Sequence, residues 1–324
     1  MRSFLYRARG IWLQKTEKEM QAISPVAVLQ QIASAVPADC RKNIIIIGSL
    51  AVGFFFFQDR DRMVVRTKDA DCLLSPRVRA IQAGIAIAER LLEAGWKFKK
   101  IGNRTEPGTA STPEADLPAV RLCPPGETEW FIELFTVPES PKHRDQKWVR
   151  LKTKHGHFGL CSFGFLSLTN YKPIKTNFGI FIARPEMMAL ANLLEHPIIG
   201  PETMARGFAG RSEIKRSNKD LGRVLAIARL AIGRDEDALL VWPELWRKAL
   251  QDRFPEDWRK LAGRVGNGLR ALLASEPDLE QAWHTCVNGL LASDSPALNL
   301  LRIAGARLLQ DAVVPLEKEA ALGG

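Results

Sequence analysis

The chain lacks any C-x-x-C pair, and its five cysteines (Cys40, Cys72, Cys123, Cys161 and Cys286) are odd in number and scattered. That pattern excludes a disulfide framework and a zinc knuckle, and a reducing cytoplasmic setting is expected. Long apolar runs are missing too. The run from Ile44 to Phe57 is interrupted by Gly48 and Gly53 and falls short of the ~20 residues that a membrane-spanning helix needs. No secretory signal with a cleavage site is read. The first fifteen residues are basic and free of acids, which fits a surface helix better than a transit peptide. No repeat of fixed period occurs, and no stretch has the composition of large-scale disorder.

What is present is an ordinary apolar content, 46% over 324 residues, enough for two domain-sized cores. The net charge is +10, from 46 Lys and Arg against 36 Asp and Glu. Such an excess favours a polyanionic partner, either nucleotide phosphates or RNA.

Four isoleucines, Ile44 to Ile47, form a β-branched run that stops at Gly48-Ser49. This is how a buried strand ends in a tight turn before a helix. The glycine lets backbone amides approach a ligand, the serine can donate, and the first turn of a following helix offers unpaired N–H groups to an anion. Further on, Arg66-Thr67-Lys68-Asp69-Ala70-Asp71 leads into Cys72-Leu73-Leu74, a second strand-like segment. Residues two apart on a strand share a face, so Asp69 and Asp71 project together. Carboxylates so placed can hold a metal pair roughly 3.5–4 Å apart for in-line phosphoryl transfer. The bland alternative is a solvated D-x-D turn.

Gly48-Ser49 after a strand, followed by Arg66-Thr67-x-Asp69-x-Asp71, resembles the signature of the nucleotidyltransferase fold of the DNA polymerase beta superfamily. The Arg66-Thr67 pair is most similar to the AbiEii-like abortive-infection branch. The resemblance covers roughly residues 25–235 by motif and implies an α+β protein, a nucleotidyltransferase-type mixed β-sheet domain with flanking helices over residues 1–184; with the helical pattern of the tail, which no motif identifies, an α-helical C-terminal domain is expected over 185–324. It implies an Mg²⁺ (or Mn²⁺) dependent enzyme that moves a nucleoside monophosphate from an NTP to a hydroxyl. The acceptor stays open among RNA, especially a tRNA end, a protein and a small molecule such as an aminoglycoside. As in toxin members of that branch, an antitoxin protein is a candidate partner, and no membrane is expected. The non-enzymatic alternative is a degenerate domain that binds nucleotide or RNA for regulation.

By the same resemblance, Asp69 and Asp71 bind metal, and Gly48, Ser49 and Arg66 belong to the nucleotide site. The third acid is expected in TEWFIELFTV, where Phe131, Glu133 and Phe135 share one face. A carboxylate in that apolar layer needs a partner or a cation, so Glu133 is read as the third metal ligand or the base. Pairing with a lysine and a solvated sheet face are the alternatives for Glu133, while Glu127 and Glu129 are alternative acids at the strand entrance. The chain departs from the family pattern in the long interval between Ser49 and Asp69, in Glu133 where aspartate is usual, and in Asn192 where a lysine is common.

A replacement for that lysine is sought in Ile214 to Leu221. Lys215, Lys219 and Arg223 recur every four residues as a basic stripe, opposite an apolar one of Leu221, Val224, Leu225 and Ala228. Lys215, Lys219 and Asp220 resemble the family's later motif and are assigned to the nucleotide; a plain amphipathic helix explains the stripe equally well.

Elsewhere the pattern predicts helices after Ser24-Pro25, after Ser75-Pro76 to about Glu93 and from Pro185. Strands are predicted over 96–101, 119–123, 129–137, 163–168 and 178–183, with a hairpin at Pro124-Pro125-Gly126. The basic stretch from Lys142 to His157, with Trp148, suits either an RNA groove or a solvated hairpin. His155 and His157 have no third partner at a metal-ligand spacing. The remainder from Glu236 reads as helices.

Overall fold

The computed structural model describes residues 22–58, 63–99, 106–126, 130–139, 147–162, 164–199 and 214–322. It is a mixed α/β architecture with a mixed sheet and a helical C-terminal region. In the first part the strands are β1 (Ala22–Ile23), β2 (Ile44–Ile47), β3 (Val65–Arg66), β4 (Asp69–Leu74), β5 (Lys97–Phe98), β6 (Arg121–Cys123) and β7 (Phe131–Thr136). They are followed by β8 (Lys147–Thr153), β9 (Gly156–Ser162), β10 (Ile174–Lys175) and β11 (Phe181–Ile182). The helices among them are α1 (Pro25–Ala35), α2 (Gly48–Phe57), α3 (Arg77–Glu93) and a single turn, α4 (Leu166–Thr169).

The main sheet has the order β10-β11-β2-β4-β7-β6-β5, with the β8–β9 hairpin joined through β9 to β7. β2 lies antiparallel to β4, and β4 parallel to β7. All four isoleucines of β2 are buried, which is what a central strand covered on both faces demands. Ser24 caps α1 through its hydroxyl, with Pro25 at the first helical position, so capping and proline chemistry place that start as expected. Phe54 to Phe57 lengthen α2, and Phe54 and Phe57 are buried, so this part of the long interval is spent on core packing. One expectation fails: within 163–168 the described residues form α4 and the turn before it, not a strand. A short apolar run does not separate strand from buried helix, and here Leu166 and Leu168 face the core from a helical turn.

The C-terminal helices are α5 (Pro185–Ile199), α6 (Arg216–Arg234), α7 (Trp242–Arg253), α8 (Trp258–Ala262), α9 (Asn267–Ala274), α10 (Glu276–Val287), α11 (Leu298–Leu308) and α12 (Val314–Ala321). α6 lies at their centre against α5, α10 and α11, burying Leu221, Val224, Leu225 and Ala228 as the stripe predicted. Each such aliphatic side chain contributes about 1.5–3 kcal/mol by leaving water.

One hydrophobic core runs from Ile23 to Ala320 through sheet and helices alike. Backbone bonds reinforce the junction: the Arg66 N–H donates to the Gly289 carbonyl at 3.1 Å, and Ser293 Oγ donates to the Val64 carbonyl at 3.0 Å. The site carboxylates on β4 are thereby held between a rigid sheet and the helices. All five cysteines are unbridged. Among the described residues no helix is long and apolar enough to cross a membrane.

Candidate active site

The register of four strands sets out the site. Asp71 stands opposite Ile47 on β2 and opposite Glu133 on β7, and Glu133 stands opposite Arg121 on β6. Neighbours in such a row have Cβ atoms about 4.5–5.5 Å apart and share a sheet face. The face therefore carries the row Arg121, Glu133, Asp71, Ile47, with Asp69 and Phe131 side by side in the next row. Parity of the D-x-D segment is as expected: Asp69 and Asp71 are half-buried on this face, while Ala70 between them is buried on the other.

Gly48 follows Ile47 at the edge of the row and opens α2, with φ of +76°. A Cβ at this position would lie 2.7 Å from Asp71 Oδ2. Glycine is thus required twice, by the left-handed backbone and by the carboxylate resting on its Cα. Ser49 is half-buried in the first turn of α2. Thr67 orients the other carboxylate, its hydroxyl donating to Asp69 Oδ1 at 2.7 Å.

No hydrogen bond reaches the Asp71 carboxyl among the described residues. Burial raises its pKa well above the ordinary carboxylate range, Asp69 and Glu133 push it further, and Arg223 and Lys219 pull it back. Lys219 and Arg223 are thus the members of the basic stripe that act on Asp71 electrostatically. Arg223 is further placed by its neighbours: Nη1 lies 3.9 Å from Asp220 and 3.5 Å from Asn192 Oδ1. Asn192, whose own amide donates to the Met188 carbonyl at 2.7 Å, is therefore accompanied by the guanidinium of α6.

Lys215 goes elsewhere. Its ammonium pairs with Asp278 on α10 at 2.7 Å, and Asn218 donates to the same oxygen at 2.8 Å, an inter-helix tie. Arg66 is exposed on β3, with its backbone bound to Gly289. Lys215 stands in extended backbone at the N-cap of α6, ahead of the helix that carries Lys219 and Arg223, and α6 stays against α10 at Gly222, whose carbonyl accepts from Cys286 Sγ at 3.0 Å.

Glu133 is buried, and both its oxygens accept from one guanidinium: Arg121 Nε to Oε2 and Nη2 to Oε1, each at 2.8 Å. Burial raises the Glu133 pKa, Arg121 opposes the rise, and Asp69 adds to it. Burial alone would lower Arg121, yet its bonds to Glu133 raise it. Among the described residues no three His, Cys, Asp or Glu side chains are grouped closely enough to hold a metal ion. Asp69 and Asp71 fit a cation: they share a face, lie near one another and leave Asp71 without a donor. Glu133 in this arrangement does not complete the set.

Arg121 escaped the sequence reading. Its signal would have been the cross-strand position opposite Glu133, but the loop between the two strands is too long to define a register. Glu195 on α5 was also missed; burial raises its pKa to about 7, with the Phe165 amide opposing and Asp220 adding.

In the basic stretch, residues 142–146 lie outside the described residues, as do Glu127 and Glu129. The described part is the β8–β9 hairpin. Trp148 is half-buried against Gly159, and Arg150 donates to the Thr109 carbonyl at 3.0 Å and contacts His157 Nδ1 at 3.1 Å.

No protein-family model matches the chain, and no curated protein matches it.

Proposed function

We propose that this chain is a nucleotidyltransferase-fold enzyme, similar to the AbiEii-like branch, that transfers a nucleoside monophosphate from an NTP to a hydroxyl acceptor. The observation that carries the reading is the cross-strand row. It gathers Asp71, Asp69 and the Gly48 turn on one sheet face beneath Lys219 and Arg223, although they lie far apart in sequence.

Each group has work in that reaction. Thr67 fixes the Asp69 carboxylate, and Gly48 allows the Asp71 carboxylate to sit at the start of α2, where backbone N–H groups and the helix dipole favour phosphate oxygens. Lys219 and Arg223 counter the negative charge of a triphosphate in a partly desolvated cleft, where each charge counts for more than in water. A divalent cation, Mg²⁺ or Mn²⁺, held by Asp69 and Asp71 would supply Lewis-acid stabilisation of the phosphoryl group. The net charge of +10 supports RNA over a cationic small molecule as acceptor.

The test is incubation with each labelled NTP, Mg²⁺ and total cellular RNA, then with protein extract. Label is expected in one fraction with wild type and none with Asp71→Asn, which removes charge at nearly constant volume. Equal turnover by Asp71→Asn would sink the assignment.

The second reading, a nucleotide- or RNA-binding regulator without catalysis, is favoured by the engagement of Glu133 with Arg121. It expects NTP binding without incorporation under any acceptor.

A further inference from the structure

Arg121 has the attributes of a substrate-binding group. Its two bonds to Glu133 use two of the five N–H donors of a guanidinium. The remaining three have no acceptor among the described residues, and 29% of the side chain is exposed. The fork is thus locked by one carboxylate and open along its other edge, so a second anion can dock without first immobilising a flexible side chain.

Its position matters as much. Arg121 ends the row that runs through Glu133 to Asp71, and Asp69 acts on it electrostatically. Lys219 and Arg223 approach Asp71 from α6. Beside Arg121, Lys99 Nζ lies 4.5 Å from the ring centre of Phe131, the residue opposite Asp69. Positive groups therefore come to the two aspartates from the β6 strand as well as from the helix.

We propose that Arg121 is a phosphate-binding residue of this site, and that Glu133 is a positioning residue that aims it, not a metal ligand or a base. The inference deepens the nucleotidyl-transfer reading and rests on it for the identity of the substrate, a polyphosphate chain. A metal at Glu133 would have to displace a bidentate pair whose two bonds are both charge-assisted. The same pair explains why an acid with one extra methylene serves here: the longer side chain reaches sideways along the sheet to the neighbouring strand.

Two measurements separate the roles. The first is binding of inorganic tripolyphosphate in the absence of metal. Arg121→Ala is expected to weaken it by about tenfold or more, as for loss of a charge-assisted contact. Arg121→Lys should fall between, because an ammonium lacks the fork, and Glu133→Gln should weaken it several-fold by loosening the guanidinium. The second is Mn²⁺ affinity followed by electron paramagnetic resonance, expected to drop with Asp71→Asn and to stay unchanged with Glu133→Gln.

Because Arg121→Ala strands a buried carboxylate, the double variant Arg121→Gln/Glu133→Gln, which removes both charges at similar volume, is measured alongside. Its expected behaviour is wild-type melting with lost tripolyphosphate binding. Wild-type affinity for tripolyphosphate in a folded variant lacking Arg121 would overturn the proposal, as would absence of binding to wild type, or a Glu133→Gln loss of Mn²⁺ equal to that of Asp71→Asn. Incorporation of labelled nucleotide by wild type is followed in parallel. Incorporation with Arg121-independent binding leaves transfer standing and removes this inference; Arg121-dependent binding without incorporation does the reverse.

Discussion

Gly48→Ala tests the centre of the site, because two separate penalties meet at one Cα. With φ at +76°, an L residue pays roughly 1–2 kcal/mol for the left-handed backbone. The new methyl also meets Asp71 Oδ2 at 2.7 Å, where ordinary contact begins at 3.4 Å, so the carboxylate must retreat by about 0.7 Å. Urea denaturation should show the first effect as a lowered midpoint with an unchanged slope, and melting should fall by a few degrees. The second effect falls on function: a misplacement approaching 1 Å at a positioned group costs on the order of 100-fold. NTP transfer should therefore drop much further than stability does. Ser49→Ala, one residue on and half-buried, serves as the comparison without either penalty on the backbone. A Gly48→Ala protein with wild-type stability and wild-type turnover would refute both the turn geometry and the contact with Asp71.

Three other expectations follow from the same geometry. Glu195 has a folded pKa raised from 4.5 to about 7, so the folded state holds its proton longer than the unfolded chain does. The stability it contributes is full below pH 4.5 and is lost as pH rises through 7; Glu195→Gln should flatten that part of the urea stability–pH curve, and an unchanged curve would refute the shift. Lys219→Ala should weaken nucleotide binding by about 1–3 kcal/mol, as for loss of a charge-assisted bond, measured by titration calorimetry on protein of unchanged melting. Lys215→Ala should leave that binding intact and cost about 0–1 kcal/mol of stability, since its pair with Asp278 is partly exposed; the opposite ranking would return α6 to a purely structural role.

Much of the framework was legible because it depends on local chemistry. The Ser24-Pro25 start, the isoleucine strand stopping at Gly48 and the apolar stripe of α6 are written in consecutive residues. The short helix α4 was not, since a segment as short as Leu-Ser-Leu-Thr suits either geometry until a neighbouring surface selects one.

The sequence by itself determined that Asp69 and Asp71 share a face, because strand alternation has a period of two whatever the fold. It likewise determined that Lys219 and Arg223, four residues apart on one helix, share a face; Lys215, expected with them, stands outside the helix at its N-cap. Only the tertiary structure decided what those faces meet. Glu133 is claimed by Arg121 because the β6–β7 register puts the two opposite each other, and no local rule dictates the pairing across the loop between these strands. Lys215 is claimed by Asp278, 63 residues away, from the extended N-cap position ahead of the first helical turn of α6. Spacing fixes which side chains travel together, whereas their partners come from chain segments whose approach depends on the whole core.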